Sequence, residues 1–158
     1  MTTEQRVARA RDLFIAGYNC SQAVFLTFAD WYGLNDEIAL RLSASFGGGV
    51  GRLREICGTC SAMAMLEGLH SGATVAADAE GKQANYRNVQ ALMTEFKRQN
   101  GSYICRELLQ LRRDAPTPPT PDPRTAEYYK QRPCLLMVES AVRIYCKRLQ
   151  GELGNNVE

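Results

Sequence analysis

Cys20, Cys57, Cys105 and Cys134 are four of the chain's six cysteines, and each falls at or near a signal for the start of a helix. Asn19 precedes Cys20 with Gln22 in the capping-box position, Ser102 comes shortly before Cys105, and Pro133 directly precedes Cys134. Cys57 follows the glycine-rich run Phe46-Gly47-Gly48-Gly49-Val50-Gly51 and leads into the apolar stretch from Ala62 to Leu69, which places it in the opening turns of that helix. The first turn of a helix presents unpaired backbone N–H groups and the positive end of the macrodipole. A thiol placed there ionises more easily than a free one. Thiolates attack disulfides and bind soft metals, so these positions define the chemistry open to the chain.

Three readings follow. In the first, the protein carries out thiol–disulfide exchange as an oxidoreductase: Cys57 is the nucleophile, Arg52 and Arg54 favour its thiolate, and Cys20, Cys60, Cys105 or Cys134 resolves the intermediate. In the second, Cys20, Cys57, Cys105 and Cys134 together hold zinc or an iron–sulfur cluster. In the third, the chain is a helical interaction protein whose cysteines pack as small hydrophobes. Cys57-Gly58-Thr59-Cys60 is a CxxC pair, suited to a redox dithiol or half of a metal site, but no strand-helix-strand pattern surrounds it and no second CxxC accompanies it. His70, the single histidine, sits at a helix end and reads as a solvated group. Cys146 belongs to the apolar pattern Val138, Val142, Tyr145, Leu149 and is expected in the core.

The elements that must position these thiols are helical. Val7, Ala10, Leu13 and Phe14 recur at helical spacing and Gly17 closes the pattern. A second helix is expected over 20–32 with Ala23, Val24, Phe28 and Trp31 on one side, a third over 36–45, and a fourth ending near Gly68 or Gly72. A long amphipathic helix over 74–98 follows, then a short helix at Cys105 and a last one over 133–149. No segment alternates as a strand would. The expectation is an all-α single domain over 1–158, an irregular bundle of about six helices. Residues 115–125 hold five of the six prolines and form an extended loop, which joins the helices of Cys105 and Cys134 and is placed to cover a thiol site.

A net charge of +2 spread over mixed signs leaves no footprint for nucleic acid. The N-terminus leads into charged amphipathic sequence, and no apolar run approaches the length of a bilayer span, so membrane insertion is not expected. The expected location is the cytoplasm. There thiols stay reduced, and six cysteines argue for redox or metal chemistry above a disulfide framework.

The order Asn19-Cys20-Ser21-Gln22-Ala23-Val24, then Phe46-Gly47-Gly48-Gly49 leading to Cys57-Gly58, then Cys105-Arg106-Glu107-Leu108, then Cys134, resembles the C_GCAxxG_C_C family of redox-active proteins. The family's four characteristic cysteines correspond to Cys20, Cys57, Cys105 and Cys134. Thr59 stands where its motif has alanine and Ala62 where it has the second glycine, while Cys60 occupies a variable position. The resemblance implies redox activity, with an unnamed redox partner or small-molecule substrate and a functional link to a transporter.

Overall fold

The computed structural model describes residues 1–153; the last five residues of the expected 1–158 domain lie outside the described residues. Among the described residues the chain is all-helical, with α1 (Thr3–Ile15), α2 (Cys20–Thr27), α3 (Asp36–Ala44), α4 (Gly58–Ser71), α5 (Ala79–Asn100), α6 (Cys105–Leu108), α7 (Ala126–Gln131) and α8 (Cys134–Leu149). A 3-10 turn at Ala29–Tyr32 follows α2. Eight helices replace the expected six or so. The helix absent from the sequence reading is α7, whose six residues are too few to display a period; Thr125 caps it by accepting from the Tyr128 N–H at 3.2 Å.

The core forms where α8 packs against α1, α2, α4 and α5. Val138, Ala141, Val142 and Tyr145 repeat at three and four along α8, and all are fully buried. They meet Phe14, Phe25, Phe28, Met63, Leu66, Leu92 and Phe96 from the surrounding helices. Glu67 of α4 is also fully buried and is paired with Arg148 of α8 at 2.9 Å, with Ser71 and Asn88 as further donors. Such pairing is what a carboxylate in a core requires. Cys146 is buried in this core, as its place in the α8 stripe implies.

Two element boundaries differ from the sequence expectation. The second helix stops at Thr27, because buried Arg6 takes the Thr27 carbonyl at 2.6 Å and pairs with Asp30, and the chain tightens into the 3-10 turn. Trp31 consequently lies half-exposed, with the Arg6 guanidinium 5.6 Å from its ring centroid, instead of facing the core. The long helix starts at Ala79, not near Thr74, where Asp78 caps it by accepting from the Gly81 N–H at 2.8 Å.

Residues 115–125 contain neither helix nor strand. Prolines account for that, but polar anchors fix the path. Arg52 Nε donates to the Pro118 carbonyl at 2.9 Å, and Arg124 donates to the carbonyls of Phe14 and Tyr18 at 3.1 and 3.2 Å. Arg124 also lies 4.6 Å over the Phe14 ring and 4.8 Å over the Tyr128 ring.

Candidate functional site

Asn19 forms the expected capping box, accepting from the Gln22 N–H at 2.9 Å, so that Cys20 is the first residue of α2. Cys57 is the N-cap of α4, just outside the opening turns where the sequence placed it. Pro133 is likewise the N-cap of α8, with Cys134 first in the helix. Cys105 opens α6, a single turn, but Ser102 does not cap it. The Ser102 hydroxyl accepts from the Ile104 N–H at 2.9 Å and donates to Glu107, shaping the chain ahead of the helix.

One bridge aligns two of these starts. Ile56 and Ile104 form an isolated antiparallel bridge, in which the Cys57 N–H donates to the Tyr103 carbonyl at 2.8 Å and the Cys105 N–H to the Glu55 carbonyl at 2.6 Å. Side chains alternate across extended backbone, so Cys57 and Cys105 fall on the same side of this bridge as diagonal neighbours.

The glycine-rich run is wound in left-handed backbone. Gly48, Gly49 and Gly51 have φ of 64, 70 and 55°, and Val50, Arg52 and Arg54 share the conformation at 57, 69 and 64°. Outside glycine this region costs about 1–2 kcal/mol per residue, and for β-branched Val50 it is a true outlier. The surrounding packing shows what the strain achieves. A Cβ on Gly49 would stand 2.7 Å from Cys105 Cβ, and one on Gly47 would stand 2.6 Å from the Asn19 side chain. Gly58 performs the same service for Cys20, whose Sγ lies 2.6 Å from where its Cβ would be. Each glycine therefore admits a thiol or the residue that caps one.

Cys20, Cys57, Cys105 and Cys134 all line one cavity of about 250 Å³. Pro119, Pro121 and Asp122 of the proline segment form part of its wall, as do Tyr128 and Arg132. Cys60 and Cys146 are not among the lining residues; Cys60 is fully buried in the first turn of α4. His70 is also remote from the cavity and packs edge-on to Tyr32, with ring centroids 6.3 Å apart.

The thiols differ in charge preference. Cys57 is lowered to about 7, chiefly by the Cys60 thiol directed at it; burial opposes this, while the Thr59 hydroxyl at 3.1 Å and the backbone N–H groups of Thr59 and Cys60 favour the anion. The helix-start N–H groups act as expected, while Arg52 and Arg54 are not among the leading influences on Cys57. Arg54 Nη1 instead reaches Cys105 Sγ at 3.8 Å, and Arg52 turns to Asp122 and Pro118. Burial pushes Cys134 up to about 11, with added repulsion from Cys57 and Cys105. Cys20 is raised by burial and then by the charges of Cys57 and Cys134, and Cys105 is raised by burial against the opposing pull of Arg54. Burial and the bond it donates to Cys57 raise Cys60. The cavity is arranged for one thiolate among neutral thiols.

Among the described residues no three His, Cys, Asp or Glu side chains are grouped closely enough to hold a metal ion, and none of the helices is long and apolar enough to cross a membrane. The sequence reading missed Thr59, Asp122 and Arg132. Asp122 carries a visible signal, as the only carboxylate in the proline-rich run.

Residues 18–148 match the family model described as "Putative redox-active protein (C_GCAxxG_C_C)". The chain matches no curated protein and no solved structure.

Proposed function

The chain belongs to the C_GCAxxG_C_C family, and from that premise we propose that it is a thiol–disulfide oxidoreductase in which Cys57 is the nucleophile and Cys60 the resolving thiol. The observation that carries this reading is the placement of Cys57: the N-cap of α4, on the wall of the shared cavity, with Cys60 fully buried three residues on. A helix N-terminus and a donor at close range are the ordinary means of activating a thiol.

The Cys57 thiolate attacks one sulfur of a substrate disulfide. A new S–S bond forms as the old one breaks, and the departing thiolate takes a proton from solvent. Cys60 then gives up its proton and attacks the Cys57 sulfur, closing the Cys57–Cys60 disulfide and releasing the second substrate thiol. The protein dithiol loses two electrons and the substrate disulfide gains them. Loss of the Cys57 charge in the first step removes the repulsion that helps to keep Cys60 neutral, which favours the second. The site suits a compartment where thiols stay reduced, such as the cytoplasm.

Trapping tests the assignment. Cys57→Ser abolishes reaction with a small disulfide, whereas Cys60→Ser forms a mixed disulfide at Cys57 that persists and is detected by intact mass. In Cys20→Ser, Cys105→Ser and Cys134→Ser that adduct resolves. Resolution in Cys60→Ser with persistence in Cys20→Ser would move the resolving role to Cys20. Retention of activity in Cys57→Ser would overturn the reading.

A further inference from the structure

The charges around the thiols narrow the substrate class. Arg52, Arg54, Arg124 and Arg132 line the cavity, against the single carboxylate of Asp122. Asp122 Oδ2 accepts from Arg132 at 2.7 Å and from Arg52 at 3.2 Å, and lies 3.9 Å from Arg54. Burial works against its charge, but the bond from Arg52 and the fields of Arg132 and Arg54 prevail and keep the carboxyl below its usual range. One carboxylate thus faces three guanidiniums. Arg124 adds a further positive charge, with its donors already committed to the Phe14 and Tyr18 carbonyls. Even with Cys57 ionised, positive charge remains in excess.

The excess is fixed inside the wall. The Arg54 side chain is 8 % exposed and the Arg52 side chain 18 %, so neither is a solvated surface charge. Buried cations are costly without an anion beside them, and a cleft with walls of one sign draws ligands of the other. Size sets the second limit. At about 250 Å³ the cavity lies at the small end of ligand pockets. The proline segment forms one wall, and the volume suits a low-mass compound.

We propose that this cavity selects a small carboxylate-bearing disulfide, with the carboxylate held by Arg52 and Arg132 and one sulfur presented to Cys57. This inference rests on the thiol–disulfide reading of the same cavity. The electron balance is that reading's own: the small disulfide is reduced to two thiols as Cys57 and Cys60 are oxidised.

The test is a single-turnover comparison of the fully reduced protein with dithiodiglycolate, which is dianionic, and with uncharged bis(2-hydroxyethyl) disulfide. Each rate is divided by that of a neutral cysteine peptide thiolate with the same disulfide. The expected result is a preference for the anionic disulfide of about tenfold over the peptide, shrinking as ionic strength rises. Arg52→Gln and Arg132→Gln should each lower the preference severalfold. Because both disulfides are compared within each variant, a change in Cys57 ionisation or in the folded fraction cancels. A ratio equal to that of the peptide, or one unmoved by both substitutions, overturns the charge selection while leaving the redox reading intact. If neither disulfide oxidises the protein faster than the peptide, the redox reading itself fails and the inference with it.

Discussion

Cys60→Ala should raise the apparent pKa of Cys57. The Cys60 thiol is the largest influence holding Cys57 at about 7, and alanine removes the donor while keeping a small apolar group in the fully buried position. A hydrogen bond to a charged group contributes about 1.5–3 kcal/mol, and one pKa unit corresponds to about 1.36 kcal/mol. The expected rise is therefore about one to two units, which would leave no more than about a tenth of Cys57 ionised at neutral pH, against about half in the parent protein. The assay is the rate of carbamidomethylation at Cys57, resolved from the other cysteines by peptide mass and followed against pH. Cys60→Ser supplies the control, because a hydroxyl can still donate and the low value should be retained. Thr59→Val should give a smaller rise, since its hydroxyl is a lesser influence at 3.1 Å. An unchanged pKa in Cys60→Ala, with its fold verified by circular dichroism, would refute the assignment of Cys60 as the activating group.

The other thiols lead to a prediction of opposite sign. Cys20, Cys105, Cys134 and Cys60 are all raised in the folded state, so the stability they contribute is fully present below the unfolded thiol value of about 8.5 and is lost as pH rises from there toward their folded values. Thermal unfolding of the reduced protein should show Tm falling above about pH 9, and a flat profile would contradict the burial of these thiols. Gly58→Ala should destabilise by about 1–3 kcal/mol in urea unfolding, because its Cβ would stand 2.6 Å from Cys20 Sγ and 2.8 Å from the Phe46 carbonyl oxygen. Gly68→Ala, on the same helix with nothing within 4 Å, should stabilise by about 0.5–1 kcal/mol. Asp122→Asn should speed both proteolysis within 115–125 and labelling of Cys57 by a bulky maleimide, since Asp122 ties that segment to Arg52 and Arg132. Unchanged rates would show that the segment does not cover the thiols.

Much of the helical architecture was legible because local signals and tertiary packing agree. The α8 stripe, the Asn19 capping box and the closing glycines are set within a few residues of sequence. Boundaries moved where a distant partner intervened: no local pattern reveals that Arg6 will take the Thr27 carbonyl and end α2. The site divides in the same way. Its cysteines announce themselves by helix-start signals, whereas the partners that set their chemistry arrive across the fold. Arg54 is close to Cys57 in sequence yet serves Cys105, while Asp122 of the proline run reaches Arg52 and Arg132. Sequence proximity identified the arginines but not the thiols they face.

The strained glycine loop explains how four helix-start cysteines come to share one cavity. Helices present their N-termini at the ends of rigid rods, and four such ends meet only if the connections between them can reverse tightly. Consecutive left-handed residues from Gly48 to Arg52 provide the reversal, and the missing Cβ atoms at Gly49 and Gly58 let Cys105 and Cys20 close in. Convergence then has an electrostatic consequence. Each thiolate raises the cost of ionising its neighbours, as the repulsion of Cys57 on Cys20, Cys105 and Cys134 shows. The charge therefore settles on the thiol with the most donors, Cys57, and its neighbours remain protonated. In the proposed exchange a second thiol becomes the readier nucleophile only once that charge has passed into a covalent bond, so packing the thiols together would impose an order on it: attack by Cys57 first, resolution second.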